Sequence, residues 1–157
     1  MSRTNIIIVL IIVLLAGVGY KSYRSGQLFE YGLPGGYTMR VGDYSVDVEI
    51  AQTEEERTRG LSGRNSLGTV QGLLLVFPTN DYHGIWMKEM KFSIDIIWIS
   101  DDLRVVHIEQ DVSPQSFPKV FESPEQARYV LEMKAQSTSL LGIGVGNKVE
   151  LPPVLRE

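Results

Sequence analysis

The chain has 157 residues, of which 43% are hydrophobic and 22% charged, so we expect one globular domain with a sizeable core rather than two domains. The formal net charge is -4, and no cluster of Lys and Arg residues stands out, which argues against nucleic acid as a partner. The chain has no cysteine, which excludes disulfides, thiolate metal sites and thiol nucleophiles.

Residues 1–20 form the first predicted element, an N-terminal hydrophobic segment through which the protein would contact the membrane. The run from Ile6 to Val18 has no charged or strongly polar residue and is preceded by Arg3 and followed by Lys21. An apolar helix of about 15 residues covers roughly 23 Å, which is short for a hydrocarbon core of about 30 Å. The segment is either an uncleaved signal anchor or a signal peptide cut near Gly17 to Gly19.

The absence of a clear A-x-A cleavage site favours the anchor over the signal peptide. Positive charges on the two sides of the segment nearly balance, but a very short N-terminal tail favours export of the domain. We therefore expect a membrane protein with a single N-terminal anchor and its domain outside the cytoplasm, or a secreted or periplasmic protein if the segment is cleaved.

Residues 21–36 show no sustained hydrophobic period and end in Pro-Gly-Gly, which predicts a linker before a domain over residues 37–157. The domain opens with alternating apolar and polar residues from Tyr44 to Ile50, the pattern of a half-buried strand. Gly42-Asp43 before it predicts a tight hairpin turn. Thr53 and Glu56 then form a T-x-x-E capping box, which predicts a short helix that ends between Gly60 and Gly63.

Short strands dominate the rest of the predicted structure. The stretch from Gly72 to Ile99 is rich in apolar and aromatic residues and is expected to form the core sheet. Strands are predicted at residues 73–77, 85–90, 93–99, 103–108, 128–133 and 145–151. A loop with two prolines is predicted at 111–122, a single helical turn at 123–126 and a second short helix at 137–141.

Three stretches in this order resemble the DUF192 family of uncharacterised conserved proteins. They are RTRGLSGR at 57–64, GLLLVFP followed by IWMKEMKFSIDIIWI between 72 and 99, and ARYVLEM followed by LGIGVGNKVEL between 127 and 151. The chain has Leu74 where the family usually has Met, Ile85 where it has Phe, Glu89 where it has Asn and Ser93 where it has Pro. Many relatives carry cysteines in the loop that corresponds to 111–122. This chain has none, so a disulfide or thiol role there does not transfer to it.

The resemblance implies a mainly β fold, a single compact jelly-roll-like sandwich or barrel with two or three short helices behind the N-terminal hydrophobic segment. It implies no known reaction. Within the matching stretches, several charged residues and one tryptophan are embedded among apolar residues. These six candidate residues are Arg57, Arg64, Trp86, Lys88, Asp95 and Arg128.

An unpaired buried charge is costly, so the six candidate residues should pair with one another or line a polar cleft. In the first interpretation they form an internal salt-bridge network, in which Asp95 pairs with an arginine and Trp86 lies beneath another. In the second, the arginines and Lys88 bind an anionic or sugar-like ligand in a cleft whose floor is Trp86.

Metal and catalytic motifs are weak in this sequence. His83, Met87 and Met90 could ligate copper, but on a regular strand Met90 points away from the other two, so methionines that fill the core are the favoured interpretation. There is no G-x-S-x-G elbow, and neither His83 nor His107 has an adjacent serine or acid. We expect no metal and no cofactor, and catalytic residues are not identifiable.

The sequence thus predicts a membrane-tethered, extracytoplasmic β domain that acts as a binding or structural module. The alternative is a hydrolase of the cell envelope with its active site in the same cleft. Paired carboxylates for glycoside hydrolysis could come from Asp81, Asp95, Asp101 or Asp102, although the last two are expected in a solvated turn.

Overall fold

A computed structural model of the chain describes residues 36–156. The predicted anchor at 1–20 and the predicted linker, except for Gly36, lie outside the described residues. None of the helices between residues 36 and 156 is long and apolar enough to cross a membrane.

The described residues form nine strands and two short α-helices. The strands are β1 (Tyr37–Val41), β2 (Tyr44–Ala51), β3 (Gln71–Asp81), β4 (Ile85–Trp86), β5 (Ile94–Ile99), β6 (Val105–Val112), β7 (Val120–Phe121), β8 (Ala127–Lys134) and β9 (Val149–Glu150). The helices are α1 (Glu54–Arg59) and α2 (Ser137–Leu141), and single 3-10 turns lie at Pro114–Ser116 and Pro153–Leu155. The predicted mainly β domain with two or three short helices is confirmed.

Seven strands form one sheet in the order β6-β5-β8-β3-β2-β1-β9, and β4 and β7 form a separate two-stranded ribbon. Strand pairs are antiparallel except β2 and β3, which run parallel and are connected through α1. A bridge between Arg104 and Lys148 joins the chain before β6 to the chain before β9. The sheet is therefore curled into a half-barrel whose two edges approach each other at this bridge.

The core lies on both faces of the sheet, and β5 shows this most clearly. All six of its residues are buried. Ile97 and Ile99 pack in one hydrophobic cluster, while Ile96 and Trp98 pack in the other. Side chains of a strand alternate between faces, so a strand covered on both sides requires apolar residues on both faces, which Ile96 to Ile99 provide. Full burial of each such apolar side chain contributes roughly 1.5–3 kcal/mol. Asp95 is the one polar residue of this buried strand.

Two local predictions from the first half of the domain are confirmed. Gly42 adopts a φ of 59° in the turn between β1 and β2, which glycine tolerates without strain. In the capping box, the side chain of Thr53 accepts from the backbone N–H of Glu56 at 3.2 Å, and the Glu56 carboxylate accepts from the backbone N–H of Thr53 at 2.9 Å. These bonds fix where α1 begins.

The strand predicted to close before Pro78 instead continues to Asp81. Between the pairs Val76–Tyr129 and Asp81–Ala127, β3 has four residues where β8 has one. This bulge takes Pro78 out of the regular ladder, so its missing N–H costs no ladder hydrogen bond. The proline is visible in the sequence, but the bulge that accommodates it is not.

The strand predicted at 85–90 is only two residues long. Beyond Trp86 the chain turns, with a hydrogen bond of 3.3 Å from the backbone N–H of Met90 to the carbonyl of Met87. Glu89 adopts a φ of 58°, a conformation that Asn tolerates better than Glu. Asn is usual at this position in the family that the sequence resembles, and Asn favours a turn over a strand.

Two further predictions differ from the structure. Residues 123–126 form a bend instead of a helical turn, because the Ser123 hydroxyl accepts from the N–H of Glu125 at 3.0 Å and forms a local turn. The closing strand predicted at 145–151 is reduced to β9, since Gly146 has a φ of 90° and turns the chain just before it. The helix predicted at 137–141 is present as α2 and ends at Gly142.

Candidate functional site

A cleft of about 430 Å³ lies beside α1, the end of β3 and β4. Several of its lining residues are apolar: Leu61, Leu75, Phe77, Ile85, Trp86 and Met90. Five others carry titratable or charged groups: Glu54, Arg57, Arg59, His83 and Glu132. A concave apolar surface with a few polar groups is the usual form of a small-molecule site.

Arg57 fastens α1 to the sheet at one side of the cleft. Its guanidinium donates to the carbonyl oxygens of Gln52 and, at 3.0 Å, of Val76. The same group lies 5.2 Å from the centre of the Phe77 ring, within the range of a cation–π contact. Because its hydrogen bonds to backbone oxygens hold α1 in place, Arg57 has a structural role in shaping the cleft.

The aromatic wall of the cleft consists of His83 stacked on Phe77. The two rings are 3.6 Å apart between centroids and 9° from parallel. A ring nitrogen of His83 lies 3.0 Å from the carbonyl oxygen of Thr79, and the indole N–H of Trp98 donates to the His83 carbonyl at 2.9 Å. These contacts hold the segment between β3 and β4 in one conformation against the core.

Trp86 is 43% exposed although it lines the cleft. It belongs to the ribbon of β4 and β7, where it pairs with Val120. Gly84 permits this ribbon, because a Cβ at that position would lie 2.5 Å from Cγ1 of Val120. A large indole surface is thus available to a molecule in the cleft.

Glu132 is a buried carboxyl that also lines the cleft. It lies in the middle of β8, paired with Leu73 of β3 on one side and Ile96 of β5 on the other. Its exposed fraction is 5%, and its Oε2 atom has no hydrogen-bond partner among the described residues. Few buried polar atoms in folded proteins lack a partner, so this oxygen requires an explanation.

Burial raises the pKa of the Glu132 carboxyl to about 7, because removal from water disfavours the charged form. The Arg64 guanidinium and a hydrogen bond from the backbone of Leu61 act in the opposite direction and are weaker. A carboxyl with this pKa exchanges a proton near neutral pH, a property found often at functional sites.

Gly60 provides the space beside this carboxyl. A Cβ at position 60 would lie 3.3 Å from Oε2 of Glu132. Gly60 also has a φ of 51°, which side-chain-bearing residues rarely adopt. The glycine that ends α1 therefore also keeps the neighbourhood of Oε2 free of a side chain.

Of the six candidate residues from the sequence, two line the cleft: Arg57 and Trp86. Lys88 is exposed and lies in a neighbouring depression with Glu89, where its backbone oxygen accepts from the Ser62 hydroxyl at 2.8 Å. Trp86 was expected beneath an arginine, but the Arg57 guanidinium lies over Phe77 instead.

The other three candidate residues have partners elsewhere. Arg64 forms a two-pronged ion pair with Glu49, with 2.7 Å between Nη2 and Oε2. Arg128 pairs with Asp101 at 2.9 Å near the turn after β5. Asp95 is fully buried and accepts only from uncharged groups in the described residues, namely the N–H groups of Asp111, Gln136 and Thr138 and the Thr138 hydroxyl.

The structure also places the side chains considered for copper and for catalysis. Met87 is buried in the core, Met90 lines the cleft and His83 stacks on Phe77. Residues 36–156 contain no group of three or more His, Asp or Glu side chains placed to hold a metal ion. His107 lies 3.4 Å from Glu109, outside the residues that line the cleft.

Glu132 was not among the residues singled out from the sequence. In ARYVLEM, Tyr129 and Leu131 alternate with Arg128, Val130 and Glu132, a pattern that predicts a solvated face for Glu132. Only the position of β8 between β3 and β5 shows that this face is covered. A lone carboxylate within a strand of mostly apolar residues was the available signal.

A family model, DUF192, described as "Uncharacterized ACR", matches residues 37–151. The chain is similar to a crystal structure from Sinorhizobium meliloti described as a "putative transcription regulator", with 26% identity, a TM-score of 0.70 and coverage of 74% of this chain and 93% of that one. It is also similar to a crystal structure of a protein of unknown function from Novosphingobium aromaticivorans, with 27% identity, a TM-score of 0.71 and coverage of 74% and 85%. No curated protein matches the chain.

Proposed function

The chain belongs to the DUF192 family, and we propose that its β domain is a binding module for a small, neutral, sugar-like ligand. The site is the cleft lined by Trp86 and Glu132. We further propose that residues 1–20 tether the module to the cell membrane, with the domain outside the cytoplasm. The proposed localisation rests on the uncharged run from Ile6 to Val18.

The observation that carries the binding proposal is a half-exposed indole at a cleft that also contains polar groups. Trp86 is 43% exposed, and the stacked rings of Phe77 and His83 lie in the same lining. Sugars have apolar C–H faces that pack on aromatic rings and hydroxyl groups that hydrogen-bond to polar side chains. The lining supplies partners for both parts of such a molecule.

The charges of the cleft favour a neutral ligand over an anionic one. Two arginines, Arg57 and Arg59, share the lining with two acidic residues, Glu54 and Glu132. The Arg57 guanidinium already donates to two backbone oxygens. Arginine clusters that bind anions leave their donors free for the ligand, so the sugar-like class is the better match of the two predicted from the sequence.

We do not propose a role in transcription regulation, the description given to the Sinorhizobium neighbour, for this chain. A nucleic-acid-binding surface needs a basic patch to replace the counterions of the phosphates. With a net charge of -4 and no Lys/Arg cluster, the sequence of this chain does not indicate such a patch.

A hydrolase is the second candidate, and Glu132 is the observation that favours it. A carboxyl whose burial raises its pKa to about 7 can act as general acid or base at neutral pH. In glycoside hydrolysis it would protonate the leaving oxygen as the glycosidic C–O bond breaks, while water adds to the sugar carbon and loses a proton to a second carboxylate, for which the lining offers Glu54. Steady turnover of glycoside substrates by the full-length chain, lost in Glu132→Gln, would favour the hydrolase over the binding module.

Isothermal titration calorimetry of the full-length chain tests the binding proposal. The ligands are D-glucose, D-galactose and D-mannose, with D-glucuronate as the anionic comparison. Trp86→Ala removes the indole, and Tyr44→Ala is the matched control, because Tyr44 is 44% exposed but lies outside the cleft lining. We expect a neutral sugar to bind, with an affinity reduced at least tenfold by Trp86→Ala only. Binding of glucuronate alone, or of none of these sugars, contradicts the proposal.

A further inference from the structure

We infer that Glu132 is the polar contact at the base of the cleft and that its Oε2 atom binds a hydroxyl group of the ligand. This inference rests on the proposed binding function and adds to it a specific ligand-binding residue. It also predicts that the ligand and a proton compete for the same carboxyl.

The carboxyl of Glu132 has a fixed position beside the cleft. Glu132 is held in the centre of the sheet by its pairing with Leu73 and Ile96, so its backbone has little freedom to move away from the cleft. The side chain is 95% removed from solvent and still contributes to the lining. A ligand in the cleft would therefore meet a carboxyl that is already oriented.

Among the described residues, Oε2 of Glu132 has no hydrogen-bond partner, whereas the neighbouring Arg64 has one. Arg64, the cation that acts on Glu132, is engaged by Glu49. The backbone N–H of Leu61 provides a hydrogen bond to the carboxyl, yet Oε2 is left without one among the described residues. A buried acceptor without a donor is unfavourable, and a ligand hydroxyl would satisfy it.

Gly60, which also lines the cleft, packs beside this oxygen. Oε2 is covered from water, and a side chain at position 60 would begin only 3.3 Å from it. A ligand hydroxyl would therefore reach Oε2 through a small displacement of the glycine that ends α1.

The coupling to protonation follows from hydrogen-bond strength. A hydroxyl that donates to an ionised carboxylate makes a stronger bond than one shared with a neutral carboxyl. The ligand should therefore bind more tightly to the ionised form and lower the pKa of Glu132. Arg64, from the loop after α1, acts on this carboxyl. The other charged and titratable groups of the cleft lining are Glu54, Arg57 and Arg59 from α1 and His83 before β4.

Carbon-13 NMR of the full-length chain, labelled at the glutamate carboxyl carbons, tests this inference. The Glu132 resonance is assigned by its loss in Glu132→Gln, or in Glu132→Asp if the first variant does not fold. Its pH titration is recorded without sugar and with D-glucose, D-galactose or D-mannose at saturation. We expect a bound sugar to move the titration to lower pH by on the order of half a unit, which corresponds to about threefold tighter binding to the ionised form.

The controls separate this inference from the binding proposal. Trp86→Ala should remove the shift at a sugar concentration that saturates the natural chain, because it weakens binding, and Tyr44→Ala, outside the cleft lining, should retain it. If calorimetry detects a neutral sugar that depends on Trp86 while the Glu132 titration stays unchanged, the inference is wrong and the binding proposal stands. If no sugar binds, both are wrong.

Discussion

The side-chain hydroxyl of Thr138 donates a hydrogen bond of 2.7 Å to Oδ2 of Asp95, and both residues are fully buried. The same oxygen accepts from the Thr138 backbone N–H at 2.9 Å. The other oxygen, Oδ1, accepts from the backbone of Asp111 at 2.9 Å and of Gln136 at 3.1 Å. Asp95 thus connects β5 to the end of β6 and to the beginning of α2, which is a structural role.

Replacement of Asp95 by alanine should be strongly destabilising. The change leaves three buried or partly buried N–H groups and one hydroxyl without their acceptor, so we expect a loss of about 3–5 kcal/mol in the free energy of unfolding. Urea denaturation of the full-length chain measures it. Asp102→Ala, at an exposed aspartate, should change the free energy by less than about 1 kcal/mol, and equal effects of the two substitutions would contradict the role given to Asp95.

Arg64→Ala and Lys88→Ala should differ in their effect on stability. Arg64 is joined to Glu49 by two hydrogen bonds, although both side chains are about one-third exposed, at 31% and 29%. Because water screens this partly exposed ion pair, we expect Arg64→Ala to lower the free energy of unfolding by about 1 kcal/mol. Lys88 is exposed, so its removal should have almost no effect. Thermal unfolding measures both variants. A larger loss of stability for Lys88→Ala than for Arg64→Ala would contradict this expectation and would show that Lys88 makes a stabilising interaction.

Glu132→Gln should change how stability depends on pH. The pKa of Glu132 is raised to about 7 from its ordinary value of 4.5, so the folded state binds more protons than the unfolded state between these pH values. Stability therefore decreases as the pH rises from about 4.5 to about 7 and is level above that range. The decrease attributable to Glu132 is about 3 kcal/mol.

In Glu132→Gln this part of the pH dependence disappears, and the variant should be more stable than the natural chain at pH 8. Chemical denaturation at a series of pH values measures both effects. A variant with an unchanged slope between pH 5 and 7 would show that Glu132 is ionised in the folded protein throughout that range.

Gly60→Ala should reduce both stability and ligand binding. The φ of 51° disfavours a residue with a Cβ, and that Cβ would lie 3.3 Å from Oε2 of Glu132. We expect Gly60→Ala to lower the free energy of unfolding by about 1–2 kcal/mol. Gly144→Ala is the control, because a Cβ there meets no atom within 4 Å. If both variants unfold at the same temperature, the conformation assigned to Gly60 is wrong.

Local sequence patterns were sufficient for much of the fold. The alternation in β2, the capping box of Thr53 and Glu56 and the short helix ended by Gly142 depend on neighbouring residues, and each is present. The sequence predicts that a strand ends before Pro78, since the bulge that accommodates this proline depends on the pairing of β3 with β8. The strand at 85–90 and the helical turn at 123–126 were mispredicted for a different reason, because local turns at Met87–Met90 and Ser123–Glu125 take their place.

The same distinction applies to the candidate site. Arg57 and Trp86 were singled out because they interrupt apolar motifs, and both line the cleft. The partners of Asp95 are 16 to 43 residues away in the sequence, so its role could not be read from its neighbours. Glu132 was missed for the same reason, because the strands that bury it come from two other parts of the chain.

Acrylamide quenching of tryptophan fluorescence tests whether a neutral sugar packs against Trp86. The chain has two tryptophans; Trp98 is fully buried and Trp86 is 43% exposed, so the quenchable emission comes from Trp86. We predict that D-glucose, D-galactose or D-mannose saturably protects this emission in the natural chain, while Trp86→Phe shows no sugar-dependent change. Quenching that is unchanged by all three sugars, or protection by D-glucuronate alone, would contradict the account.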